Sequence, residues 1–241
     1  MSDGYSMTRD GKIIRLTLER PDDGNMLTLA MARDIAARIR DVGSDKLANA
    51  IVLRGAGDDF CKGRDPKGAP EGQPTTAVEM REALIEPLLG VYAAIRESEL
   101  PVIAGVQGTV QGLGCGIAAI CDITIAADNA RFLLPEMRAN LPPTLAMLAH
   151  LDRIPPKSLL HMVYSTDSIN AARAVSIGLV SEMVPVAELD SAVEGLLEKL
   201  GSYEREAVAT CKSYLQQARG VPYQTANDLA GNLLSVVLSS R

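Results

Sequence analysis

Tryptophan is absent from this chain, and Phe, Trp and Tyr together make up 3% of it. The core must therefore be aliphatic, filled by Ala, Val, Ile, Leu and Met. The same scarcity argues against single-strand nucleic-acid binding, which needs aromatic stacking platforms. Positive charge is also short: the formal net charge is −6. A duplex-binding surface needs a basic excess, so nucleic acid is not an expected partner. A local basic pocket for one phosphorylated ligand stays open. Cysteines number four, with no C-x-x-C pair, and the two histidines, His150 and His161, lack the spacing of paired metal ligands. No metal site is expected. Cys115 and Cys121 lie in an apolar run and read as small core residues. No run of about 18 apolar residues is present, and the polar start of the chain is unlike a signal segment. No membrane association is expected, and the expected location is cytoplasmic, with reduced thiols.

What remains is 241 residues, 47% hydrophobic and 22% charged, enough for one large α/β domain. Lys12 to Leu18 alternates like a strand, and Arg20 to Asn25 is a turn by composition. Thr28 can cap a helix whose Met31, Ile35 and Ile39 share one face. Ala50–Leu53, Pro101–Val106, Ile123–Ala126 and Phe132–Leu134 read as further strands. Between Gly55 and Thr76 the chain reads as a long loop, and Pro87 marks a start or a kink within a helix over Val78–Ser98. From Thr144 onward six helical stretches follow, the last near Gln224–Leu238. Strand–loop–helix units in the first half and helices in the last third indicate a βαβ-built core with a C-terminal helical extension. The division expected is a core over residues 1–185 and a helical region over 186–241 that is not an independent domain.

Three segments could carry chemistry. In Asp59-Phe60-Cys61-Lys62-Gly63-Arg64-Asp65, Gly63 permits a tight turn that aims the next N–H outward; the plain alternative is a surface loop. In Gly108-Thr109-Val110-Gln111-Gly112-Leu113-Gly114-Cys115-Gly116, glycines precede an apolar helix, whose N-terminus favours negative charge; the alternative is close packing of elements. Gly114 to Ala119 also fits a loose G-x-G-x-x-A dinucleotide pattern. It falls too far past the strand ending at Val106, sits mid-chain, and has no acidic residue about 20 positions on at the end of a second strand, since Asp128 comes too soon and Glu136 follows Pro135. In Phe132-Leu133-Leu134-Pro135-Glu136, a carboxylate follows an apolar strand and a proline. Half-burial there would raise its pKa and suit it to proton transfer; the alternative is a Glu satisfied by the next helix's dipole.

In order, these segments resemble the crotonase family, the enoyl-CoA hydratase/isomerase superfamily. The resemblance covers nearly the whole chain: Leu18-Glu19-Arg20-Pro21, Phe60 to Asp65, Pro101 to Gly108, the glycine segment to Cys121-Asp122, and Phe132 to Glu136 with Pro143. Asn170 to Ala174, Gly178-Leu179-Val180 and Val184-Pro185 extend it. It implies an α/β crotonase-like spiral of ββα/βαβ repeats with a helical C-terminal trimerisation region, a homotrimer or dimer of trimers, and acyl-CoA substrates. It implies no cofactor beyond the coenzyme A of the substrate. By position it implies an oxyanion hole from the backbone N–H groups of Arg64 and Leu113. Cys61, Lys62, Gly63, Asp65, Gln111, Gly112 and Gly116 would line the substrate, the stretch Lys67–Thr76 and the helix after it the acyl pocket.

Two departures bear on the reaction. Family hydratases use two glutamates to position and activate water. The second falls on Glu136, the first on Gly116. One carboxylate can still move a proton between carbons, which favours an enoyl-CoA isomerase with Glu136 as the single acid/base. The alternatives are a hydratase-like lyase with water held by Gln111 or Asp65, a decarboxylase or thioester hydrolase, and a CoA-binding member without activity. The chain also ends at Arg241, near where relatives enter a short charged tail, so part of the CoA-adenine pocket or trimer contact is expected to differ. Lys212 could meet a CoA phosphate or stand solvated on its helix.

Overall fold

Successive side chains along the central strands face opposite sides of the sheet, and both sides are buried. The computed structural model describes residues 4–68 and 74–239. Strands β1 (Tyr5–Asp10), β2 (Ile13–Leu18), β3 (Ala50–Gly55), β4 (Val102–Val106), β6 (Ile123–Ala127) and β9 (Glu182–Val184) form one sheet in the order β1-β2-β3-β4-β6-β9. β1 and β2 are an antiparallel hairpin, and every other pair in this sheet is parallel. Ile14, Leu16, Ile51, Leu53, Val102, Ala104 and Ala126 point into the main core. Ile13, Ala50, Val52, Ile103, Ile125 and Ala127 point to the opposite face. A parallel sheet covered on both faces requires this double set of apolar residues. A small second sheet, in the order β5-β7-β8, consists of β5 (Thr109–Gln111), β7 (Arg131–Leu133) and β8 (Ile169–Asn170).

Helices α1 (Leu29–Gly43), α2 (Ala77–Met80), α3 (Glu86–Glu97), α4 (Leu113–Ile120), α5 (Thr144–His150), α6 (Pro156–Ser165) and α7 (Ala171–Ser176) precede α8 (Leu189–Ser202), α9 (Arg205–Ala218) and α10 (Tyr223–Ser239). Thr28 caps α1 through its side chain, accepting from the Met31 N–H, and Met31, Ile35 and Ile39 lie buried on one face. Pro87 does interrupt a longer helix. It lacks the N–H that would meet the Ala83 carbonyl, so a π-turn (Arg81–Ile85) precedes α3 and Ala83 accepts from Arg33 instead, at 3.3 Å. The loop expected over Gly55–Thr76 contains a short 3-10 turn, Pro66–Gly68, and Thr76 ends it as the cap of α2. Of the acyl-pocket stretch Lys67–Thr76, residues 69–73 lie outside the described residues.

The helical third is anchored unevenly. Leu189, Val193 and Leu197 of α8 cover the second face of the large sheet. α9 attaches through Arg205, Val208 and Lys212, which are buried. Lys212 is neither solvated nor free for a phosphate. Its Nζ donates to the carbonyls of Ile95 and Leu100 and pairs with Asp122 Oδ2 at 2.8 Å, tying α9 to α3 and the sheet. A buried ammonium needs this full set of acceptors. α10 packs on α9 but buries no residue within the single chain, and Leu234, Val236 and Leu238 are exposed. Among the described residues no helix is long and apolar enough to cross a membrane.

Candidate active site

Two backbone turns meet at the start of α4. The first is held by Leu27, whose N–H donates to the Gly63 carbonyl and whose carbonyl accepts from the Asp65 N–H. In such a parallel bridge the residue between the two partners faces its own N–H and C=O away. The Arg64 N–H therefore points to the other side, with no acceptor among the described residues. Gly63 makes the turn possible with φ at 107°, where a side chain would be strained. Cys61 sits beneath it, fully buried. Its Sγ lies 3.4 Å from the Gly63 nitrogen, and burial pushes the thiol up to about 12, so it stays protonated.

The second turn is Gly112-Leu113. Gly112 adopts φ 53° and ψ −117°, and Leu113 is the first residue of α4. The Leu113 N–H is thus one of the unpaired donors that every helix start leaves. The turns are brought together by the Cys61–Val110 bridge, in which Cys61 receives the Gln111 N–H and donates to the Thr109 carbonyl. Contact is close enough that a Cβ on Gly114 would fall 2.2 Å from the Cys61 oxygen. A Cβ on Gly63 would stand 3.7 Å from the Leu113 nitrogen. The Arg64 and Leu113 turns, separated by about fifty positions in sequence, face one space.

Glu136 reaches this space from the 3-10 turn (Glu136–Ala139) that follows β7. A Cβ on Gly112 would lie 2.8 Å from Glu136 Oε1, which places the carboxylate beside the peptide carrying the Leu113 N–H. The side chain is half-buried, and its Oε2 is buried with no hydrogen-bond partner among the described residues. Burial raises the Glu136 pKa above its ordinary value. A half-buried carboxyl group with one unpaired oxygen, beside the peptide that carries the Leu113 N–H, is suited to taking and returning protons.

The other candidate residues play different parts. Asp65 is buried, but its carboxylate is taken by Arg20 Nη2 at 2.7 Å and by the Lys67 N–H. Lys62 reaches Asp59 at 2.7 Å from the surface. Gln111 lies half-buried on β5, next to Gly112. Gly116 lies on the first turn of α4, and the position beside it is filled. A Cβ there would fall 1.9 Å from Tyr92 Oη and 2.6 Å from its Cζ. Tyr92 comes from α3, is 3% exposed, and donates to the Leu113 carbonyl at 3.3 Å. Nothing in the sequence pairs Tyr92 with Gly116, since they meet only when α3 packs on α4. Cys115 and His150 form a further buried contact at 3.6 Å, with His150 Nδ1 donating to Ala146 O. Burial lowers the His150 pKa, so the ring is neutral and serves packing.

A parallel-sheet α/β fold that presents two unpaired backbone donors and one desolvated carboxylate in a common space defines a class of enzyme acting on a polarised carbonyl. The sequence matches the enoyl-CoA hydratase/isomerase family over residues 8–239. The chain belongs to that family and is an acyl-CoA enzyme of the crotonase fold. It is 30% identical over 220 residues to the 2,3-dehydroadipyl-CoA hydratase of Escherichia coli K12, covering 90% of this chain and 84% of that one. An enoyl-CoA hydratase structure from Mycobacterium smegmatis superposes with a TM-score of 0.91 at 27% identity, over 98% of this chain and 91% of that chain. A structure from Thermobifida fusca, solved in complex with CoA, superposes with a TM-score of 0.87 at 26% identity, over 98% and 93%.

Proposed function

We propose that this chain is an enoyl-CoA isomerase that shifts a double bond along an acyl-CoA with Glu136 as its single acid/base. The reading rests on Glu136 Oε1 standing beside the Leu113 peptide while the space at Gly116 holds no carboxylate. The thioester oxygen accepts from the Arg64 and Leu113 N–H groups. Glu136 removes a proton from C2 of a 3-enoyl thioester, and the electron pair delocalises onto that oxygen as a dienolate. The same carboxyl group then returns the proton to C4, giving the 2-enoyl isomer. Each aimed donor is worth about 10²–10³ in rate, because the charge appears on oxygen only as the C–H bond breaks. Gly63, Gly112, Gln111 and the Cys61-Lys62 segment form the walls around the thioester. The substrate brings its own coenzyme A, in line with the CoA complex of the Thermobifida fusca relative, and the proposed chemistry calls for no other cofactor.

The exposed apolar residues of α10 fit burial against further copies, as a trimer or a dimer of trimers. The four free cysteines suit a reducing compartment such as the cytoplasm. The test is conversion of 3-enoyl-CoA to 2-enoyl-CoA by the wild type and Glu136→Gln. The expected loss is about 10²–10⁴ in kcat with CoA affinity retained. Equal turnover by the two proteins overturns the reading.

Hydration is the second reading, favoured by the name of the Escherichia coli relative. It requires a water held by groups other than a residue-116 carboxylate. Asp65 is already engaged by Arg20 and Lys67, which leaves Gln111 for that part. Hydration of crotonyl-CoA by the wild type at enzymatic rates would establish it.

A further inference from the structure

Gly116 leaves a side-chain position open on the first turn of α4, and the fold closes it again from another helix. Tyr92 projects from α3 so that its hydroxyl oxygen stands 1.9 Å from where a residue-116 Cβ would be, with Cζ at 2.6 Å and Cε1 at 3.2 Å. No side chain at 116 fits while Tyr92 holds this position. The phenol is anchored there by its bond to the Leu113 carbonyl at 3.3 Å and by burial among core residues. Leu113 is also the residue whose N–H serves the proposed oxyanion hole, so Tyr92 is bonded to a residue of the site itself.

We infer that Tyr92 is a specificity-determining residue: its ring and hydroxyl fill the volume beside Gly116 that a water and its activating side chain would need, so the site moves protons within the substrate and does not add water. The inference rests on the isomerase reading for its consequence, though the occupancy of the volume does not. Three features support it. Tyr92 is 3% exposed, so it excludes solvent from this wall. Burial raises its pKa well above the ordinary phenol value, so it stays neutral and offers no base to a water molecule. Its hydrogen already has an acceptor in Leu113, so the hydroxyl adds a filled polar position and not a vacant one.

The experiment compares wild type, Tyr92→Phe, Tyr92→Ala and Tyr92→Ala/Gly116→Glu, each checked for folding by circular dichroism. Two readouts are taken: hydration of crotonyl-CoA, and transfer of deuterium from C2 to C4 during isomerisation of labelled 3-enoyl-CoA in ordinary water. Tyr92→Phe keeps most of the volume and should keep both values near wild type. Tyr92→Ala should admit water to Glu136 and cut deuterium transfer several-fold. The double variant, with volume and a carboxylate restored, should gain at least about tenfold in hydration. Unchanged hydration in the folded double variant together with unchanged label transfer in Tyr92→Ala overturns the inference. If the double variant does not fold, label transfer in Tyr92→Ala decides alone. If the wild type does not isomerise, the isomerase reading fails, while a hydration gain in the double variant still upholds Tyr92 as the residue that closes this volume.

Discussion

On one side of the site Arg64 and Leu113 present unpaired backbone N–H groups; on the other, Glu136 and Tyr92 present side chains. The donor side is fixed many times over. Leu27 bonds Gly63 and Asp65, Cys61 bonds Thr109 and Gln111, and the close approach of Gly114 to Cys61 sets the distance between turns. A backbone donor asks little of its side chain, so under the proposed function an exposed Arg and a buried Leu can share one task. The other side depends on single side chains, Glu136 after β7 and Tyr92 on α3, each held by few contacts. In the proposed function, then, holding a thioester enolate belongs to the backbone, and the choice of reaction belongs to a few side chains. Such a division lets one scaffold host several reactions.

The hardest way to break the donor side is to strain the backbone that aims it. Gly63→Val puts a branched side chain at φ 107° and crowds the Gln111 carbonyl, 3.3 Å from the new Cβ. Turnover should fall by about 10²–10³, the worth of one aimed donor. CoA affinity measured by calorimetry should stay near wild type, because in the proposed function the turn meets only the thioester oxygen. A parallel loss of affinity would mean that the turn serves binding in general and not charge on the thioester oxygen.

A pH titration sharpens the proton-handling side. The proposed isomerisation begins with Glu136 ionised, so kcat should fall as pH drops through its pKa. That fall should be centred above the ordinary glutamate value of 4.5, because burial raises the folded pKa. The sign for stability is opposite. Between 4.5 and the raised pKa the folded chain holds more protons at this site than the unfolded chain, so stability falls as pH rises through that window. Glu136→Gln removes the ionisation and should melt higher than wild type above it. A kcat profile centred at or below 4.5 would show that Glu136 is well solvated and poorly suited to this work.

The same contrast explains what could be read from the sequence. The large elements are local statements: Thr28 before a 3.6-residue apolar period, the alternating run into Leu18, and Pro87 where a helix could not continue. β1, β5, β8 and β9 are short or polar and exist because neighbours supply their hydrogen bonds, so no local pattern marks them. The tight turns at Gly63 and Gly112 were legible because glycines there announce a backbone requirement. Tyr92 at Gly116 was not, because it needs the packing of α3 on α4. Lys212 was misread for a related reason. A lysine on an amphipathic helix looks solvated until three acceptors from distant segments surround it.

The smallest effect tests the comparison most directly. If Arg64 acts through its peptide N–H alone, Arg64→Ala keeps the donor and discards only an exposed side chain. Leu27 still holds the Gly63 carbonyl and the Asp65 N–H, so the aim of the residue-64 N–H is unchanged. Turnover should then remain within about threefold of wild type, the range of an ordinary surface substitution. The Michaelis constant can rise if the guanidinium attracts the phosphates of CoA, and added salt should reduce that part of the effect. A loss of turnover that persists at high salt would place the charge of Arg64 at the reacting oxygen. The donor side would then depend on a side chain after all, as the side with Glu136 and Tyr92 does.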